Sequence, residues 1–155
     1  MNNIESLIIA IKNRKTSDIR KFINEGGNIN EKFTGCTPLI FAAMFSDKKT
    51  VDFLLKNGAD VSIKSDDGLD VIRVSVIKQN FGAIKALKEF GVDFNMFTKE
   101  GISPLSVAFL NGDTKMFKEL LQCGANPNEK DKDGKTTSQL IKDTFKEIKP
   151  FYDMI

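Results

Sequence analysis

The chain has 155 residues, 41% hydrophobic and 28% charged, with 23 basic residues against 21 acidic and a net charge of +2. That is the composition of a folded, soluble domain, and it excludes a disordered or membrane-spanning chain. Cations and anions are interspersed, so no dedicated nucleic-acid surface is expected.

The N-terminal stretch has no basic leader, carries Glu5 and contains only a five-residue apolar run, so it does not read as a signal peptide. A first unit is expected over 3–33. Its Leu7 and Ala10 match Leu39 and Ala42 further on, and Ile19, Phe22 and Ile23 match Val51, Leu54 and Leu55. Glu5-Ser6 stands where the next unit has Thr37-Pro38, and polar residues from Lys12 to Lys15 fill its turn. Such a unit is expected to cap a stack, with one face towards solvent. The turn that follows, Asn30 to Thr34, is one residue shorter than its later counterparts, so the first protruding finger is predicted to differ in shape.

The second unit, 34–65, is the most regular. Thr37 is a good N-cap, and Pro38 suits the first helical position, where its missing N–H costs nothing. Leu39, Ala42 and Ala43 then share a helical face. Ser46 to Lys49 breaks the apolar pattern, and Val51, Leu54 and Leu55 recur at i, i+3 and i+4 as the stripe of a second helix. Gly58 is expected to end it in the left-handed conformation.

The third unit, 66–98, is the least regular. Asp70-Val71 replaces Thr-Pro, although Asp also caps. β-Branched Val71, Ile72, Val74, Val76 and Ile77 crowd a predicted helix, and Gly82 weakens the next one. This unit is expected to be the least stable of the internal ones. The fourth unit, 99–131, is regular again, with Ser103-Pro104-Leu105, Ala108 and Leu120-Leu121. The last, 132–155, starts at Lys135-Thr136-Thr137, has Ile141 in place of the small alanine, and reads as a C-terminal cap. Lys142, Lys146 and Lys149 are spaced as a solvated helical face, and Pro150 limits any further helix.

Gly35, Gly68, Gly101 and Gly134 recur every 33 residues, as do Gly58, Gly91 and Gly124. A fixed period of this size marks stacked units that cannot bury their apolar faces alone. G-C-T-P-L-I-F-A-A followed by V-D-F-L-L-K-N-G-A-D-V resembles an ankyrin repeat, and G-I-S-P-L-S-V-A-F with M-F-K-E-L-L-Q-C-G-A-N-P-N is a second close match. The resemblance covers nearly the whole chain. It implies an all-α solenoid of about five stacked helix-turn-helix units with protruding β-turn fingers, forming a single domain over 1–155.

The same resemblance implies a concave groove lined by the fingers and the first helices. Its positions here are Cys36, Leu69 and Ile102 after the turn glycines; Met44, Ile77 and Leu110, with Phe45, Lys78 and Asn111 beside them; and Asn57, Phe90 and Cys123 before the closing glycines. Phe33 adds bulk at the first turn. Phe97 does so at the third, where the aligned residues are lysines. The set is apolar and aromatic, which is a protein-interaction signal, and the groove is expected to centre on Leu69, Phe90, Phe97 and Ile102. It suits a helix or an extended apolar segment of a protein partner.

No chemistry competes with that reading. The absence of histidine removes Ser-His and Cys-His pairs and the commonest metal ligand. Two lone cysteines cannot build a zinc site and suit a reducing compartment. Neither a phosphate-binding loop nor a calcium loop is present. The expectation is a cofactor-free, non-catalytic binding module: an adaptor, inhibitor, immunity protein or effector. It would be monomeric when unbound and cytoplasmic, with delivery into another cell's cytosol left open. The alternative is an assembly protein whose groove is filled by a copy of itself; an enzyme with an unrecognised site is more remote.

Overall fold

The computed structural model describes residues 3–96, 102–144 and 154. Phe97, Gly101, Lys146, Lys149 and Pro150 lie outside them. The chain divides into two compact parts, Met1–Val92 and Asp93–Ile155, and the described residues form nine helices.

The first part holds α1 (Ile4–Lys12), α2 (Thr16–Asn24), α3 (Pro38–Phe45), α4 (Lys48–Lys56), α5 (Val71–Ile77) and α6 (Phe81–Phe90). Within each unit the two helices pack as a pair. Between units, α1 packs on α3, α3 on α5 and α4 on α6, so first helices form one layer and second helices another. Between the layers lie Leu7, Ile11, Ile19, Leu39, Val51, Leu54, Ile72, Ile84 and Leu87, all fully buried. Each such side chain contributes about 1.5–3 kcal/mol on burial. Ala42 and Ala43 are also fully buried, and their small size lets neighbouring first helices approach.

Helix starts follow the caps. The Thr37 hydroxyl accepts from the Ile40 N–H at 3.3 Å, Asp47 from Thr50 at 2.9 Å, and Asp70 from Arg73 at 2.9 Å. The first helix begins earlier than the Thr-Pro alignment suggests: Asn3, two residues before Glu5, accepts from the Glu5 N–H at 2.9 Å. α5 is helical despite its β-branched residues because Val71 to Val76 are all buried, and packing overrides weak propensity.

Gly82 has a role that propensity alone conceals. A Cβ there would stand 3.0 Å from the backbone nitrogen of Lys48, so the glycine admits the close approach of α4 to α6. Lys48 then reaches Asp52 and Glu89, each at 2.7 Å. Asn80 caps α6 and also donates to the carbonyls of Ala43 and Ser46, at 3.0 and 2.9 Å, which fastens the end of α3 to the start of α6.

The first two fingers differ as their lengths imply. Phe33 and Cys36 exchange both backbone hydrogen bonds, at 2.9 and 3.1 Å. Thr34 and Gly35 between them both have positive φ, the conformation of a tight hairpin turn. The second finger closes one residue wider, with the Ser65 N–H donating to the Leu69 carbonyl. The two fingers are joined by Asp66 N–H to the Gly35 carbonyl at 2.9 Å and by Lys32 to Asp66 at 2.7 Å.

The second part holds α7 (Pro104–Leu110), α8 (Thr114–Gln122) and α9 (Thr137–Thr144), with α7 packed on both others. Its core is Leu105, Ala108, Phe109, Met116, Phe117, Leu120 and Ile141. Ser103 caps α7 through Ser106, and Asp113 caps α8 through Met116. Among the described residues, no helix is long and apolar enough to cross a membrane.

Candidate functional site

The large apolar side chains left exposed among the described residues are Ile9, Phe45, Ile77, Phe90, Ile102 and Leu110, from 37% exposed at Ile102 to 60% at Leu110. All but Ile9 stand at positions expected to face a groove. Ile77 and Leu110 therefore do not pack between units, whereas Met44 is half-buried, as are Phe33, Cys36 and Leu69.

In the first part Phe33 and Phe45 are linked through Phe41. The Phe33 ring, at the base of the first finger, lies 6.2 Å from that of Phe41 on α3. Phe41 stacks at 6.3 Å and 27° on Phe45, one turn further along. The Lys12 ammonium, from the last turn of α1, sits 5.7 Å from the Phe41 ring centre and 5.1 Å from that of Phe45. Contacts of this kind contribute about 0.5–1 kcal/mol at exposed sites. Phe41 is only 7% exposed, so finger and α3 share an aromatic stack whose exposed end is Phe45. At the helix ends, Lys12, Met44 and Ile77 occupy one repeat position, and Asn13, Phe45 and Lys78 the next.

Phe90 does not join that stack. It lies in a shallow depression with Asp52, Leu55, Lys56, Ala86 and Glu89, all on α4 and α6, in the layer of second helices. In the second part, Ile102, Leu110 and Asn111 are exposed at the start and end of α7. Phe97 is outside the described residues. Two contributors escaped the sequence reading. In the sequence Lys12 belongs to a polar turn segment, although its repeat position is that of Met44. Ile9 borders an open cleft of about 460 Å³ between α1 and α2, with Ser6, Asn13, Asp18 and Phe22 among its walls.

The electrostatics are local. Burial raises the pKa of the Cys36 thiol, aided by the charges of Asp67 and Asp66 and opposed by Lys32, so the thiol stays protonated at neutral pH. At Asp47 burial favours the neutral acid but is outweighed by hydrogen bonds from Thr50 and by the Arg14 charge, and the pKa is lowered. Lys48 is held above the usual lysine value by its bonds to Asp52 and Glu89. Cys36 is not in a disulfide. No group of three His, Cys, Asp or Glu among the described residues is placed to hold a metal ion.

Residues 2–65 and 57–131 match the family model for ankyrin repeats in three copies. An ankyrin repeat protein of Rickettsia felis is 30% identical over 124 residues, covering 77% of this chain and 42% of that protein. One of Fowlpox virus is 28% identical over 136 residues, covering 84% and 40%. The human SH3 and multiple ankyrin repeat domains protein 2 is 30% identical over 136 residues, covering 85% of this chain and 7% of its own length. The chain thus spans less than half the length of each. With paired helices, capped starts and left-handed glycines in register with those matches, the chain belongs to the ankyrin repeat family.

Proposed function

We propose that this chain is a non-catalytic module that recognises a protein partner through its fingers and first helices, acting in the cytoplasm as a single repeat domain over 1–155. Ankyrin repeats are generally protein-interaction modules, and adaptor, inhibitor, immunity protein or effector are the roles such a module would fill. The observation that carries the reading is the surface of Phe45, Ile77 and Met44 beside the Phe33–Phe41 pair. These side chains stand at variable repeat positions, where exposed apolar area costs solubility, and a partner that buries them explains their presence.

Parallel capture with the natural chain and with Phe45→Ser/Ile77→Ser tests the proposal, with circular dichroism to confirm that both fold. A protein retained by the first and lost by the second is the expected result. Identical captures, or none, would count against this surface. A solution mass that rises with concentration, and stops rising in the double variant, would make the partner a second copy of the chain.

A further inference from the structure

At the C-terminal ends of α1, α3 and α5, the apolar centre formed by Met44, Phe45 and Ile77 lies between two lysines. Lys12 closes α1, with its ammonium over the Phe45 ring, and Lys78 is the exposed C-cap of α5. Neither forms an ion pair among the described residues. Asp47, at the start of α4, is already engaged: Thr50 donates to it through its backbone N–H and its hydroxyl, at 2.9 and 2.8 Å, and Arg14 supplies the facing charge. The surface is therefore apolar at its centre and cationic on both sides.

Building on the groove reading above, we infer that the partner presents a large apolar side chain flanked on both sides by Asp or Glu, in an extended segment that crosses α1, α3 and α5. Adjacent packed helices lie about 8–10 Å apart, so α1 and α5 are separated by about 16–20 Å. An extended chain rises about 3.3 Å per residue, so five or six residues bridge the two lysines, with the apolar anchor over Phe45 and Ile77. Acidic groups on each side place opposite charges at Lys12 and Lys78, which sets register and speeds encounter. Each lysine also complements the partial negative charge of its helix C-terminus. That effect acts on folding, so stability and affinity separate the two roles.

A library of random 12-residue peptides displayed on phage, selected on the full chain, tests the inference. Enriched sequences are expected to carry Asp or Glu on both sides of an aromatic or aliphatic residue. An enriched peptide should lose about tenfold in affinity on Lys12→Gln/Lys78→Gln, equal to about 1.4 kcal/mol, in a variant that gives up the Lys12–ring contacts and both helix-end charges but keeps its helical circular dichroism. Lys12→Arg/Lys78→Arg should restore binding, and affinity for the natural chain should fall as salt rises from about 0.05 to about 0.5 M. Neutral or basic consensus peptides, salt-independent binding, or unchanged affinity in the Gln variant would overturn the acidic chemistry while leaving the groove reading intact if Phe45→Ala still loses binding. Enrichment insensitive to both Phe45→Ala and Ile77→Ala, or no enrichment at all, would overturn the groove reading as well.

Discussion

Asp70 in the first part and Ser103 in the second stand at the same repeat position, each capping a first helix, yet they bury different polar clusters. Asp70 accepts from the Arg73 backbone N–H and also pairs with the Arg73 guanidinium, both side chains only 2% exposed. Ser103 accepts from the Ser106 N–H and joins a triangle of hydroxyls with Ser106 and Thr137, at 3.0 to 3.1 Å. A third solution stands at Thr37 and Ile40, where the cap is retained and the following side chain is apolar and fully buried. The repeat requires the cap and tolerates charge, hydroxyl or hydrocarbon three residues later. What differs is the cost of breaking each cluster, because a buried charge without its partner is far more costly than a lost neutral hydrogen bond.

The largest expected effect is on the charged cluster. Arg73→Ile leaves the Asp70 carboxylate buried without its guanidinium and should lower unfolding stability by about 3–5 kcal/mol in urea titration. Asp70→Thr/Arg73→Ile, which copies the Thr37–Ile40 solution, should return to within about 1.5 kcal/mol of the natural chain. If the double variant is as unstable as the single one, the charged pair has a role beyond satisfying itself. A smaller effect is expected at Gly82, where α8 of the second part has an exposed Lys115 at the same repeat position. Gly82→Ala gains helix propensity of about 1 kcal/mol but forces α4 away from α6, and a net loss of about 1–2 kcal/mol is expected by thermal melting.

On the neutral side of the comparison, Thr137→Val removes one hydroxyl while Ser103 and Ser106 remain bonded to each other. A loss of about 1 kcal/mol is expected, and it should be the same at pH 5 and pH 8 because no member of the triangle titrates there. The smallest effect concerns the finger bases. Asn30 bridges to the next unit through the Gly58 carbonyl and the Asp60 N–H, and Asn95 does the same with Gly124 and Asn126. Between them in the repeat stands Ser62, which among the described residues bonds to Asp60 alone, through its N–H and hydroxyl. Ser62→Asn should add a bond to the Gly91 carbonyl and raise stability by about 0.5–1 kcal/mol. No change in the urea midpoint would show that these bridges contribute little.

The fold was legible because its signals are local and repeated. Thr37, Asp70 and Ser103 cap where they stand, Pro38 and Pro104 start helices, and Gly58, Gly91 and Gly124 take the positive φ that ends them. The exposure of Phe45, Ile77 and Leu110 was legible for the same reason, since alignment separates the positions that every unit buries from those it leaves free. What depends on distance between elements was not legible. Gly82 reads as a weak point in its own helix, and only the Lys48 backbone opposite shows how tightly a side chain there would fit. Phe90 precedes a closing glycine like Asn57 and Cys123, but which layer its ring joins depends on the packing of α4 against α6. Lys12 looked like a solvated turn residue until α3 brought two rings beneath its ammonium.

The Lys12–Phe45 contact has an optical consequence. The chain has no tryptophan and a single tyrosine, so Phe45→Trp would place its only indole on the aromatic stack, half in water and within reach of one ammonium. Emission excited at the red edge would then come from that surface alone. Cover by a partner would move it to shorter wavelengths, and iodide, drawn in by the neighbouring cation, would quench the open surface and spare the covered one. Occupancy could thus be titrated without a label, by a side chain that the fold already holds at the boundary between protein and solvent.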